Sequence, residues 1–117
     1  MTKTDRQQSG KRGEEIAERF LLDKGYEILE RNFRHKRAEI DLIALWENNV
    51  LVFVEVKHRK GNSFGEPESF VSDNQQKSIL DASESYLYAI NWKKDVRFDI
   101  ISINAGDEIN HFKDAFY

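Results

Sequence analysis

Apolar residues recur along this chain with two periods, and the switches between them mark out its elements. From about Gly10 to Lys24, Ile16, Ala17, Phe20 and Leu21 fall at the spacing of one helix face, and Gly25 stands where a helix-ending glycine belongs. Residues 1–9 are polar and carry no stripe, so they are expected to be a disordered tail ahead of a single domain over 10–117. Three strands are predicted next, at Tyr26–Phe33, Ala38–Trp46 and Val50–His58, the last dense in β-branched and aromatic residues. A loop from Lys60 to about Val71 holds Gly61, Gly65 and the only proline, Pro67. With Phe64 and Phe70 it is a candidate flap over a substrate. A second helix is expected from Ser72, with Gln75 as reciprocal capping partner and Ile79, Leu80, Ser83, Tyr86, Leu87 and Ile90 as its buried stripe. Val96–Ile103 reads as a fourth strand, and Ile109–Phe116 as a short fifth strand or an irregular return. The order α-β-β-β-α-β describes an α/β fold, a mixed central sheet flanked by helices.

Strand alternation then sorts the third strand into two faces. Val50, Val52, Val54 and Val56 share one; Leu51, Phe53, Glu55 and Lys57 share the other. A carboxylate and an ammonium thus emerge together from an apolar strand, where charge is costly unless paired or bound to metal. If Glu47-Asn48-Asn49 is a three-residue loop, Trp46 pairs with Val50, Asp41 lies opposite Glu55, and Glu39 lies opposite Lys57. Two opposed carboxylates repel unless a cation sits between them. All-oxygen ligands suit magnesium or manganese, which can activate a water for in-line attack at phosphorus, with Lys57 stabilising the charge that develops. The same four residues also read as a cross-strand ion-pair ladder on an exposed sheet face.

Composition narrows the function classes. Hydrophobic residues make up 39% and charged residues 33%, as in a soluble globular protein, and cysteine is absent, which excludes thiolate metal sites and suits a cytoplasmic setting. No apolar run approaches the roughly 20 residues of a membrane span, and no secretory signal is visible at the start. No Gly-rich phosphate loop exists, so a nucleotide cofactor is not expected. His35, His58 and His111 lack metal-ligand spacing and read as surface residues. The net charge of −3 conceals an asymmetry: residues 1–60 hold 13 Lys/Arg against 11 Asp/Glu, a balance of +2, and residues 61–117 hold 5 against 10, a balance of −5. The basic clusters are either solvated faces or phosphate contacts.

The surrounding motifs add a resemblance. Gly13-Glu14-Glu15-Ile16-Ala17, Ala38-Glu39-Ile40-Asp41-Leu42-Ile43-Ala44 and Val52-Phe53-Val54-Glu55-Val56-Lys57-His58-Arg59 resemble the YraN-like family, also called UPF0102. So do Gly25-Tyr26, Arg31-Asn32, Lys77, Ala82, Tyr86-Leu87, Arg97-Phe98-Asp99 and Phe116, which spreads the likeness over nearly the whole chain after about residue 10. That family looks like a branch of the PD-(D/E)xK nucleases, near the archaeal Holliday junction resolvases. The resemblance implies a restriction-endonuclease-like core, with Asp41 and Glu55 as metal ligands, Lys57 as catalytic lysine and Glu14 as a helix carboxylate reaching the metal or its water. Glu39, Gln76 and Lys77 are auxiliary candidates. Arg12, Arg34, Lys36, Arg37, Arg59 and Lys60 would hold a nucleic-acid backbone. The implied activity is magnesium-dependent cleavage of structured or branched DNA by a homodimer. A module of the same fold that binds without cutting, or an RNA-directed nuclease, is the alternative. Ala38 departs from the glycine usual in the family at that point.

Overall fold

The computed structural model describes residues 3–59 and 71–117, residues 3–10 by their backbone alone. Its elements are α1 (Lys3–Asp23), β1 (Glu27–His35), β2 (Ala38–Trp46), β3 (Val50–His58), α2 (Asp73–Ala89), β4 (Asp95–Ile103) and β5 (Ile109–Phe112). They build a mixed five-stranded sheet in the order β1-β2-β3-β4-β5. Among the described residues only the β3–β4 pairing is parallel, and α2 provides its crossover. This is the predicted element order and fold class. The predicted flap lies outside the described residues up to Phe70, as does Lys60. No described helix is long and apolar enough to cross a membrane.

β1 runs Glu27–His35 where Tyr26–Phe33 is expected, β4 starts one residue early at Asp95, and three further differences have visible reasons. α1 begins at Lys3, inside the stretch expected to be disordered. Lysine, arginine and glutamine there are good helix formers, so backbone propensity carries the helix beyond its apolar face. β5 stops at Phe112 because Asp114 turns to φ 55° and the Ala115 amide folds back to the Phe98 carbonyl at 2.7 Å. Ile90 is 42% exposed and sits outside the stripe of α2. The chain there adopts a Schellman closure, with Trp92 N–H donating to Leu87, Asn91 N–H to Tyr88, and Asn91 at φ 55°.

The same closure ends α1, where Tyr26 N–H donates to Leu21, Gly25 N–H to Leu22, and Gly25 takes φ 97°. At the other end of α2, the Ser72 hydroxyl accepts from the Gln75 amide as predicted. The two helices cover opposite faces. Ala17 and Leu21 of α1 pack on Leu42, Ala44, Val52, Val54, Ile101 and Ile103. Ile79, Ala82 and Tyr86 of α2 pack on Ile43, Leu51, Phe53, Phe98 and Ile100. Each fully buried side chain of the size of Leu21 or Phe53 contributes about 1.5–3 kcal/mol.

One charge is built into the α1 face. Asp99, wholly buried, receives both Arg97 Nε and Nη2 at 2.8 Å, the Asp114 amide at 3.0 Å and His111 Nε2 at 2.6 Å. Arg97 also donates to the Tyr26 hydroxyl at 2.7 Å. Burial alone would raise the Asp99 carboxyl, but these partners outweigh it and hold it below its ordinary value. His111 is therefore not the surface residue its sequence context suggests: its side chain is 8% exposed, because β5 lays it over Asp99.

Strand geometry changes at the end of the sheet that matters for chemistry. The β2–β3 register runs from Trp46↔Val50 to Leu42↔Val54, as predicted from a three-residue loop, and goes no further. Across β1 and β2 the alternation breaks: Arg31 reaches Glu18 of α1 while Phe33 packs under α2, and Asn32 between them has φ 52°. Opposite, Leu42 belongs to the α1 cluster and Ile40 to the α2 cluster. Asp41 therefore sits where β2 turns over and parts from β3.

Candidate metal centre

Asp41 is anchored at this parting of the strands. Its Oδ2 accepts the Val56 amide at 2.8 Å, so a side chain takes the place of a ladder carbonyl. Glu55 lies beside it on β3, 8% exposed, and its Oε2 makes no hydrogen bond among the described residues. Burial, then the negative charge of Asp41, push the Glu55 carboxyl well above its ordinary value, while Lys57 pulls the other way. An orphaned buried carboxylate oxygen costs stability unless a cation or donor reaches it.

α1 brings a third carboxylate to the same point. At Gly13 an added β-carbon would lie 3.2 Å from His58 Cβ, so this glycine lets the helix approach the end of β3 closely. The next residue, Glu14, points at β2. Glu14, Glu39 and Asp41 each offer an oxygen, and these atoms all lie within 4.8 Å of one another. Burial and the charges of Asp41 and Glu39 raise the Glu14 carboxyl to about 7. Asn32, with its amide nitrogen turned to the carboxylates that face it, donates to Glu39 Oε1 at 2.7 Å and lies 3.2 and 3.1 Å from the two oxygens of Glu14. The kink that turns β1 over thus supplies a neutral side-chain donor to the cluster.

The donor set fits a hard divalent cation. It is all oxygen, drawn from α1 and β2, and beside it Glu55 of β3 keeps one buried oxygen without a partner among the described residues. A crevice of about 370 Å³ opens onto it on the α2 side, lined by Glu39, Asp41, Glu55, Arg37, and Asn74, Gln75 and Ser78 of α2. A second crevice of about 300 Å³ reaches Glu14 and Asn32 between α1 and β1.

The other predicted residues fall into three groups. Lys57 stands two residues beyond Glu55 on the same strand face, close enough to act on its charge. Neither expected ladder pair forms, Asp41 with Glu55 or Glu39 with Lys57, since the β2–β3 ladder ends at Leu42↔Val54; Glu55 still lies beside Asp41, and Glu39 meets Arg34 at 3.4 Å. Of the basic residues, Arg37 lines the crevice and Lys36 a neighbouring hollow, whereas Arg12 is ion-paired with Asp107 and Arg34 with Glu39. Arg59, at the end of β3, donates its backbone amide to Ile103 at 2.6 Å. Gln76 donates to the Val71 carbonyl at 3.1 Å and Lys77 is exposed; neither lines the crevice, and the helix presents Asn74 and Gln75 instead. The sequence alone does not mark Asn32 as a site residue. Its signal was an asparagine inside a strand, a residue type that tolerates positive φ.

A family model described as "Uncharacterised protein family UPF0102" matches residues 13–103. A UPF0102 protein of Cytophaga hutchinsonii is 42% identical over 108 residues, covering 92% of this chain and 95% of its own. One from Chlorobium phaeobacteroides is 47% identical over 102 residues, covering 86% and 80%. One from Caldanaerobacter subterraneus is 42% identical over 123 residues, covering 99% and 100%.

Proposed function

The chain belongs to UPF0102, an uncharacterised protein family, and from that premise we propose that it is a magnesium- or manganese-dependent endonuclease that hydrolyses phosphodiester bonds in DNA. The observation that carries this reading is the cluster of Glu14, Glu39 and Asp41 oxygens, with Glu55 beside Asp41 in a crevice that Arg37 also lines and Lys57 two residues further along β3.

Asp41 and Glu55 would hold the cation, with Glu14 completing the set from α1. When bound, the cation supplies concentrated positive charge beside the scissile phosphate and makes a water acidic enough to attack at neutral pH. Asp41 is held by the Val56 amide and Asn32 steadies Glu14 and Glu39, so these ligands need little reorganisation. Lys57 directs its ammonium towards the phosphoryl oxygens as their charge grows. Arg37 at the rim, with Lys36 beyond it, contacts the nucleic-acid backbone and leaves base identity largely unread. Recognition by shape suits branched or otherwise structured DNA. Two symmetric cuts would call for a homodimer, and the reading carries a cytoplasmic setting with it.

The test is cleavage of labelled duplex, single-stranded, flap and four-way-junction DNA with magnesium or manganese, beside an Asp41→Asn control. Metal-dependent cutting that the variant abolishes is the expected result. Binding without cutting by either protein would overturn the reading and leave a nucleic-acid-binding module.

A further inference from the structure

A buried hydroxyl lies one strand away from the candidate lysine. Ser102 on β4 is wholly buried, and its Oγ has no hydrogen-bond partner among the described residues. Ile100 belongs to the α2 cluster and Ile101 to the α1 cluster, so alternation turns Ser102 to the α2 face, the face of Glu55 and Lys57. In the parallel β3–β4 register Ser102 stands directly beside Lys57, about 4.8 Å away strand to strand. On its other side it pairs with Asn110 of β5. A polar row therefore crosses three strands just beyond the apolar layer in which Ile100 of β4 pairs with Phe112 of β5.

We infer that Ser102 is a positioning residue for Lys57: its unpartnered hydroxyl oxygen is the acceptor towards which the ammonium turns, which holds that charge beside Glu55. Three physical points lead there. A wholly buried serine cannot touch substrate, so any part it takes in chemistry acts through a neighbour. An orphaned buried hydroxyl is unfavourable, and alanine would fill nearly the same space without that cost. Lysine carries the longest flexible stem on that face and, unlike arginine, has no planar fork to fix its direction, so a nearby acceptor decides where its charge sits. A cation held by Asp41 and Glu55 would repel the ammonium and compete for the same carboxylate oxygens. Ser102 supplies an acceptor that the cation does not claim.

The catalytic consequence rests on the endonuclease reading; the contact itself does not. Two readouts test it on the full chain carrying Ser102→Ala or Ser102→Thr. The first is the ¹³C spectrum of reductively methylated lysines, with Lys57 assigned through Lys57→Arg, with and without magnesium. A held Lys57 gives two non-equivalent methyl signals in the wild type and Ser102→Thr, which merge into one sharp signal in Ser102→Ala. Identical Lys57 signals in all three proteins under both conditions would overturn the inference. The second is kinetics: Ser102→Ala is expected to lower kcat about 10-fold with KM nearly unchanged, and Ser102→Thr to restore it. Loss spread equally over both variants, or carried by KM, would count against positioning. A wild type that cuts no nucleic acid removes the endonuclease reading, and the spectra still decide the contact.

Discussion

Two acidic regions lie in the same small sheet and have opposite fates. On the α1 face Asp99 is wholly buried yet fully partnered by Arg97, His111 and the Asp114 amide, and its carboxyl is held below its ordinary value. At the end of β2 and β3, Glu55 is almost as deeply buried but has a bare oxygen and an anionic neighbour, and Glu14 is raised to about 7. The first arrangement satisfies its charge from within and fastens β4, β5 and the start of β1 together. The second is left in deficit, with repulsion stored among carboxylates that a folded chain gains nothing by gathering. A cluster of that kind could hold a metal ion. The difference separates a structural aspartate from candidate ligands more sharply than burial or charge alone.

The largest expected effect is on chemistry. Asp41→Asn keeps an acceptor for the Val56 amide, so it should lower metal-dependent cleavage by about 10³-fold or more while leaving thermal stability and DNA affinity near wild type. Single-turnover cleavage beside a binding titration checks both halves. Asp99→Asn should do the reverse, costing about 3–5 kcal/mol in urea denaturation because Arg97 loses the charge that compensates it. A stable Asp99→Asn protein would break the comparison.

Glu55→Gln should then move stability in the opposite direction from Asp99→Asn. Replacing a carboxyl that folding forces to hold a proton beside Asp41 is expected to stabilise the metal-free protein by about 1–2 kcal/mol at pH 8 and to abolish the rise in Tm on adding magnesium. Thermal denaturation with and without the cation measures both.

The pH dependence separates the two regions by sign. Glu14 titrates near 7 when folded and near its ordinary 4.5 when unfolded, so between these values the folded state holds a proton the unfolded chain has lost. Its contribution is therefore fully present below about 4.5 and lost as pH rises through 7. Asp99, lowered on folding, contributes above the ordinary aspartate range and loses that contribution as pH falls through its folded value. Urea midpoints of the metal-free protein should decline from pH 5 to 8, with a flatter slope in Glu14→Gln, and magnesium should raise Tm more at pH 8 than at pH 5.5. The smallest effect is at the rim. Arg37→Ala should weaken DNA binding a few-fold and reduce the salt slope by about one, against a lesser change for Arg12→Ala, whose guanidinium is already paired with Asp107.

What the sequence by itself determined is whatever one or two strands can decide. Alternation placed Leu51, Phe53, Glu55 and Lys57 on one face, loop length set the Trp46↔Val50 register, and Gly25 and Ser72 bounded their helices. These features depend on local periodicity and turn chemistry, which the chain spells out residue by residue. The tertiary structure alone decided the rest. Glu14 meets Asp41 only because Gly13 lets α1 approach His58, and Asn32 meets both glutamates only because β1 and β2 turn over together. His111 is buried only because β5 lies over Asp99, and Ser102 becomes an orphan only where β4 runs beside Lys57. Each of these joins residues far apart in the chain through packing and twist. Neither is encoded in the spacing of any one segment.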